Sequence, residues 1–272
     1  MLHAGAHFGH QAHRWNPRML PYIYGEKNGI HILNLDVTLE MWKKAEKFLE
    51  DRANQGGNVL FVGTKSQARD IVSEAATACG GFSITQRWLG GTLSNFETIK
   101  RSINRMKKLE ELLLKAEEKD STVKLNKKER LGLRRELEKL EANLGGIRHM
   151  KHVPDVLFVV DVRREAIAVR EARKLHIPVV AIVDTNVDPS QIDFPIPSND
   201  DATKAIRLFV ENVAAAVSRG RSAYISRGIE AKDRREAAAE SADGVEVVNR
   251  GRGGEKGNRA ASAESNAAAI AG

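Results

Sequence analysis

From Asp155 to Asp184 the chain reads DVLFVVDVRREAIAVREARKLHIPVVAIVD. Two apolar runs, each closed by an aspartate, enclose a charged segment from Arg164 to Leu175. Short runs that are apolar throughout are typical of strands buried on both faces of a sheet, and the segment between them predicts a helix. Because this order is strand, helix, strand, it predicts a parallel sheet with right-handed crossovers.

The flanking sequence extends this pattern in both directions. Residues 29–35 and 58–62 predict two earlier strands, followed by helices at 39–53, with Asp36 or Thr38 as the cap, and from the 63–66 turn to Ala78. Residues 200–217 predict a last helix, capped by Asp200 or Asn199. The predicted fold class is therefore α/β, with a parallel sheet flanked by helices.

A pair of charged helices interrupts the pattern. Apolar residues recur at steps of three and four from Ile99 to Ala116, and again from Leu133 to Leu144. Each stripe is narrow, so it suffices to pair the two helices but not to place them centrally in a core. We predict an inserted antiparallel coiled-coil hairpin over residues 97–145 that projects from the body, with a turn at 120–122.

The chain has 272 residues, a formal net charge of +7 and a pI of about 9.5. Residues 226–272 hold equal numbers of basic and acidic side chains, so the whole excess lies on residues 1–225. Such a balance favours a polyanionic partner. Because residues 226–272 have little apolar bulk, we predict a disordered tail after an α/β domain of residues 1–225.

Cysteine usage and hydropathy restrict the class of protein further. Cys79 is the only cysteine, which excludes an internal disulfide and favours a reducing compartment. No apolar run approaches the ~18 residues of a membrane span, and the first residues lack the pattern of a secretory signal. We therefore expect neither a membrane partner nor secretion.

Residues 87–96, RWLGGTLSNF, combine an arginine, a tryptophan and a glycine pair just before the hairpin. A guanidinium suits phosphate, glycine lets backbone approach a ligand closely, and hydroxyl or amide groups also contact phosphate. The alternatives are a tryptophan that fills the core and polar residues that cap a helix. The predicted nucleic-acid contacts are Arg87, Trp88, Gly90, Gly91, Thr92 and Asn95, with the cations Lys100, Arg101 and Arg105 beyond them.

Residues 3–24 alternate cations with aromatic rings, as a nucleic-acid surface requires, since cations bind phosphates and flat rings stack on bases. The predicted contacts are Arg14, Trp15, Asn16, Arg18, Tyr24 and, a little further on, Lys27. An equally good interpretation is an irregular arm whose aromatic residues pack on the domain.

Metal binding and catalysis are the competing hypotheses. His3, His7, His10 and His13 have helical spacing, but Gly5 and Gly9 weaken a helix and no carboxylate or cysteine joins them, so no metal site is predicted. Residues 63–66, GTKS, resemble the end of a phosphate-binding loop without its spacing, which leaves Lys65 as a spare cation at a strand end and a further predicted nucleic-acid contact.

Aspartates at the predicted strand ends offer a second route to an enzyme. Asp161 and Asp184 end two strands, and further aspartates follow at 188, 193, 200 and 201. With Lys65 they suit an α/β phosphohydrolase or a nucleotide-binding enzyme. Turn and cap roles account for Asp188 and Asp200, and no nucleophile is paired with a histidine, so no catalytic residue is predicted. A protein–protein scaffold built on the hairpin is a third hypothesis.

Several blocks together resemble the bacterial and organellar small-subunit ribosomal protein two family. They are LHAGAHFGH at 2–10, RWNP at 14–17, NGIHI at 28–32, FVGTK at 61–65, RWLGGTL at 87–93, DTN at 184–186 and NDDA at 199–202. The resemblance extends from residue 1 to about residue 217.

This resemblance implies a Rossmann-like parallel sheet that carries a coiled-coil hairpin. It also implies a non-enzymatic structural role, with no cofactor, metal or small-molecule substrate. The implied partners are small-subunit rRNA, which the residues named above would contact, and other small-subunit proteins, including ribosomal protein one. The expected location is a cytoplasmic ribosome, with an organellar matrix or stroma as the alternative.

Overall fold

The structure is a computed structural model, and it describes residues 1–116 and 125–250. The chain divides into two compact units, one ending at Ile225 and the other beginning at Ser226. Across the described ranges, no helix is both long and apolar enough to cross a lipid bilayer.

The described strands are β1 (Phe8–Gln11), β2 (Ile23–Lys27), β3 (Ile30–Leu33), β4 (Val59–Val62), β5 (Phe82–Ile84), β6 (Val156–Val159), β7 (Val179–Val183) and β8 (Phe194–Pro197). The described α-helices are α1 (Leu35–Asn54), α2 (Arg69–Cys79), α3 (Phe96–Lys115), α4 (Lys127–Leu144), α5 (Ala166–Lys174) and α6 (Thr203–Arg250). Short 3-10 helices occur at Leu2–Ala4, Ala12–Arg14, Pro17–Tyr22, Gly145–Ile147 and Pro189–Gln191.

A five-stranded parallel sheet forms the centre of the first unit, in the order β5-β4-β6-β7-β8. Every residue of β4, β6 and β7 is buried, as their continuous apolar runs predicted. Counted along the chain, these parallel strands have the flavodoxin-like order 2-1-3-4-5, which reverses direction between β4 and β6. The predicted α/β class with a parallel sheet is confirmed.

Five of the described strands differ from the prediction: β3 lies in another sheet, and β1, β2, β5 and β8 were not predicted. Residues 29–35 were predicted as the first strand, but residues 30–33 form the middle of a separate antiparallel sheet, β1-β3-β2. Their alternating burial is typical of a strand with one covered face. β5 has only three residues, and β8 contains prolines, which are tolerated because it is an edge strand; neither segment has a clear strand pattern in the sequence.

Alternate residues of the central strands pack on opposite helical layers. Phe61 and Phe158 lie in the cluster formed with α1, α2 and α6, and their rings are 5.5 Å apart, edge to face. Leu60 and Leu157 lie in the other cluster, with α5 and the base of the hairpin. The sheet therefore separates two cores, each of which extends to the strand ends.

The hairpin helices α3 and α4 pair through the predicted stripes. Ile99, Ile103, Met106, Leu109 and Leu113 are buried in α3, and Leu144 is buried in α4. The base of the hairpin also joins the core beside the sheet, which corrects the prediction of a purely peripheral stripe. Asn126 begins α4 with a capping box, and the predicted turn at 120–122 lies outside the described residues.

Helix boundaries and the tail also differ in part. Asn34 caps α1 in place of Asp36 or Thr38, since its side chain accepts the Asp36 N–H at 3.0 Å.

Helix α6 continues past Val217 to Arg250, so the predicted disordered tail begins within a helix. Alanine, glutamate and arginine have high helix propensity, so this segment forms a helix without apolar bulk. Residues 251–272 lie outside the described ranges, and the predicted domain boundary stays a prediction.

Two glycines, one inside α4 and one just after the hairpin, make a matched pair of stability tests. A Cβ at Gly146 would clash with the Ser83 carbonyl oxygen and lie 2.5 Å from Ser83 Oγ, whereas a Cβ at Gly132 would meet nothing within 4 Å. We expect Gly146→Ala to lower the free energy of unfolding by about 1–3 kcal/mol. Gly132→Ala, inside a helix, should raise it by about 0.5–1 kcal/mol. Urea unfolding of both variants measures this, and equal effects would refute the close approach at Gly146.

Candidate nucleic-acid interface

The loop from Trp88 to Ser94 is fastened by a carboxylate from α5. Glu171 Oε1 accepts hydrogen bonds from Trp88 Nε1 at 3.2 Å and Gly91 N at 2.7 Å. Glu171 Oε2 accepts from Leu93 N at 2.9 Å, from Ser94 N at 3.0 Å and from Ser94 Oγ at 3.1 Å. The loop therefore has one internal acceptor for the donors that precede α3.

Burial of Glu171 favours its neutral form and would by itself raise its pKa. The hydrogen bonds from Ser94, Gly91, Leu93 and Trp88 favour the carboxylate more strongly, so the pKa of Glu171 is lowered. A charged carboxylate is thus held beneath the loop at neutral pH, and it is a residue that the sequence analysis missed.

This arrangement changes the roles of three predicted contacts. Trp88 is 7% exposed and donates to Glu171, so it supports the loop and has no face for a base. The Gly91 N–H is used by Glu171, and its φ of +89° explains the glycine. Thr92 is 1% exposed and donates its hydroxyl to the Leu89 carbonyl. These three residues build the loop from within.

The outer surface of the same loop and of the adjoining helix carries the remaining predicted contacts. Arg87, Gly90 and Asn95 are exposed, and the space beside the Gly90 Cα is open for 4 Å. Lys100 and Arg101 are exposed on the first turns of α3, and neither has an ion pair among the described residues. Arg105 lies further along, with Nε 3.1 Å from Glu136 of α4. The unpaired cations therefore cluster at the start of α3.

The N-terminal arm combines both interpretations given by the sequence. Tyr24 is 80% exposed on β2, and Arg14 and Lys27 are exposed near it in the chain. Trp15 is half-buried, with its ring centroid 5.2 Å from that of His31. The arm is thus a packed sheet that leaves one tyrosine ring and two cations on its surface.

Asn16 and Arg18 fix the arm to the loop after β7. Asn16 N–H donates to the Thr185 carbonyl at 2.8 Å, and Asn16 Oδ1 accepts from the Arg18 N–H at 2.9 Å. The Arg18 guanidinium pairs with Asp188 and lies 3.0 Å from Ser190 Oγ, although 64% of the side chain is exposed. The arm and the carboxyl edge of the parallel sheet therefore form one surface.

Lys65, predicted to contact nucleic acid, points instead into a cluster of aspartates. Its Nζ lies 2.6 Å from Asp201, 2.9 Å from Asp200 and 3.4 Å from Asp161. Burial would lower the pKa of Lys65, but the nearby carboxylates outweigh burial and raise it. An ammonium with three carboxylate neighbours is not available to a phosphate, which corrects the prediction for Lys65.

The same cluster brings a histidine to the carboxylates. His10 Nδ1 lies 3.1 Å from Asp184, whose hydrogen bond raises the pKa of His10. His10, Asp200 and Asp201 offer ligand atoms within 4.8 Å of one another, so our statement that no carboxylate joins the histidines was wrong. The Lys65 ammonium already provides a cation for these aspartates, and no other histidine within the described ranges joins the group.

The crevice at the reversal point between β4 and β6 is filled by the chain itself. Flavodoxin-like folds bind phosphorylated ligands outside the strand ends at this point. Here Thr64, two residues after the end of β4, donates its N–H to Glu165 at 3.1 Å and accepts from Arg164 Nε at 2.7 Å. Lys65 and Asp161 are paired beside them. These contacts occupy the place where a nucleotide would lie.

Comparison with known proteins gives a consistent result. A family model described as Ribosomal protein S2 matches residues 1–220. The small ribosomal subunit protein uS2 of Koribacter versatilis is 53% identical over 221 residues, which cover 81% of this chain and 72% of that protein. The uS2 protein of Brucella ovis is 51% identical over 220 residues, which cover 81% of this chain and 85% of that protein.

Proposed function

The chain belongs to the Ribosomal protein S2 family, and from this we propose that it is a structural protein of the small ribosomal subunit. In this role it binds small-subunit rRNA and neighbouring ribosomal proteins, and so supports translation. The observation that carries the proposal is the family match together with unpaired exposed cations beside the fastened loop.

The proposed rRNA surface has two parts. On the hairpin side, Arg87, Lys100 and Arg101 contact phosphates, and Arg105 adds positive charge. Gly90 and Asn95 allow the rRNA backbone to approach the loop closely. On the arm, Arg14, Arg18 and Lys27 contact phosphates and Tyr24 stacks on a base or ribose. Trp15, Asn16, Trp88, Gly91 and Thr92 act through the backbone that they position.

The partners are rRNA and small-subunit proteins, and we propose ribosomal protein one among them. We further propose that the protein works on cytoplasmic ribosomes, without a cofactor or a small-molecule substrate. The enzyme hypothesis is less well supported, because Lys65 and the strand-end aspartates neutralise one another within the crevice that a substrate requires.

Salt dependence of binding tests the proposed phosphate contacts. Removing one phosphate-bound cation lowers the slope of log affinity against log salt by about one unit. We expect this change for Arg87→Ala and for Arg101→Ala, measured by co-sedimentation with small subunits stripped of this protein.

The control is Arg207→Ala, which removes an exposed arginine whose Nη1 lies 3.3 Å from Glu211. It should leave the slope unchanged. If both test variants keep the wild-type slope, the assignment to phosphates is refuted. If binding survives complete digestion of the RNA, a protein scaffold replaces the proposed function.

A further inference from the structure

A cleft opens where the carboxyl ends of β6 and β7 lie side by side. It has a volume of about 400 Å³, and its buried apolar floor is formed by Val162 and Val187. Pockets for small ligands have volumes of ~300–1,000 Å³, so the cleft is large enough for one compact polar unit. It lies one strand away from the filled crevice between β4 and β6.

Two arginines line this cleft from different parts of the chain. Arg14 comes from the N-terminal arm and Arg163 from the turn after β6. Both are exposed, and neither has an ion pair within the part of the chain that the structure describes. The acid at the rim, Asp188, is paired with Arg18 and accepts from Ser190 N–H at 3.0 Å. The cleft therefore keeps a net positive charge that suits an anion.

One residue of the cleft lining has a side-chain acceptor without a donor. Asn186 lines it, and Asn186 Oδ1 is buried with no hydrogen-bond partner among the described residues. Buried polar atoms are nearly always paired, so an orphaned acceptor indicates a missing donor. A ligand that fits the cleft therefore needs a hydrogen-bond donor that reaches Asn186 and, beside that donor, a negative charge that reaches the two arginines.

We propose that this cleft binds a single ribonucleotide unit of the rRNA, with its phosphate on Arg14 and Arg163 and its ribose 2′-hydroxyl donating to Asn186. This rests on the proposed function and adds a site with three residues that the sequence analysis missed, Arg163, Asn186 and the cleft-lining Gln191. A ribose 2′-hydroxyl beside the phosphate is present in RNA and absent from DNA, so a site that binds both groups distinguishes the two nucleic acids.

The test uses the full chain and small subunits stripped of this protein by salt. Arg163→Ala should weaken binding about tenfold and lower the salt slope by about one unit. The matched control is Arg170→Ala, an exposed arginine of α5 that does not line the cleft. It should change affinity less than about twofold.

Chemical acylation of the 2′-hydroxyls of the rRNA then tests the proposed contact with Asn186 directly. We expect one nucleotide to be protected by the wild type and by Arg170→Ala, and to become reactive with Arg163→Ala and with Asn186→Ala. Nucleotides protected through Arg87 and Arg101 should stay protected, and both cleft variants should keep the wild-type melting temperature. If Asn186→Ala fails to fold, Arg163→Ala alone decides.

The outcomes separate the cleft from the general function. If Arg163→Ala behaves like Arg170→Ala while Arg87→Ala lowers the salt slope, the cleft proposal is overturned and the rRNA function stands. If both cleft variants weaken binding but every ribose footprint is unchanged, an acidic protein segment occupies the cleft and the RNA assignment is overturned. If the wild type does not bind the stripped subunits, both proposals fall.

Discussion

Replacing Glu171 with alanine should be among the most damaging single changes in this protein. The carboxylate accepts five hydrogen bonds from four residues of the 88–94 loop, and alanine leaves all of these donors without their partner. Each buried donor left unsatisfied costs about 1–3 kcal/mol, and water can reach some of these donors, so we expect a total loss of about 3–5 kcal/mol in the free energy of unfolding. Urea unfolding at pH 7 measures it.

The pH dependence supplies a second readout for Glu171. Its pKa in the folded protein is lowered, so its stabilising contribution is present above the unfolded pKa of about 4.3 and is lost as pH falls through the folded pKa. Glu171→Gln removes the charge but keeps the shape, and its stability relative to the wild type should therefore improve as the pH falls below 4.3.

Glu111→Ala is the matched control, because Glu111 is an exposed glutamate on α3. It should change stability by less than about 0.5 kcal/mol. The variants at 171 should also weaken rRNA binding, since Arg87 and Asn95 flank the fastened loop. A fully stable Glu171→Ala protein would show that the loop is held by something else.

The fold was largely predictable because its signals are local. Continuous apolar runs identified β4, β6 and β7, and stripes with helical spacing identified α3 and α4. β5 and β8 were missed because three residues carry little pattern and because Pro195 and Pro197 argue against a strand. Which sheet β3 joins depends on partners elsewhere in the chain, so its local pattern could not decide it.

The site was less predictable because its key contacts are distant in sequence. Glu171 is 77–83 residues from the donors it binds, and no motif links them. One signal was available: Glu171 lies beside Ala168 and Ala172 on the buried face of α5, and an acid on such a face requires a partner. Trp88 was predicted either to stack on a base or to fill the core, and only the contacts of its indole decide between the two roles.

We expect Lys65→Met to lower the free energy of unfolding about as much as Glu171→Ala does, because it removes the cation from a buried acidic cluster. The Lys65 side chain is 13% exposed, and those of its neighbours Asp161 and Asp200 are 14% and 2% exposed. Removing one partner leaves uncompensated buried charge, for which we expect a loss of about 3–5 kcal/mol at pH 8. Lys43→Met, at an exposed position of α1, should change stability by less than about 0.5 kcal/mol.

The sign of the pH dependence follows from Asp200. Burial, together with repulsion from Asp184 and Asp161, raises the pKa of Asp200 to about 7 despite the attraction of Lys65. Because this folded pKa lies above the unfolded value of about 3.9, the folded state binds more protons between these values, and stability falls as pH rises through that window. The raised pKa of Lys65 keeps that group charged throughout the same window.

Without Lys65 the attraction is lost, and the pKa of Asp200 must rise further. The deficit of Lys65→Met relative to the wild type should therefore be larger at pH 8 than at pH 5, where protonation removes the repulsion. Urea unfolding at both pH values measures the difference. An equal deficit at pH 5 and pH 8 would mean that Lys65 stabilises the strand ends by packing, and that its charge is not what keeps the crevice between β4 and β6 closed.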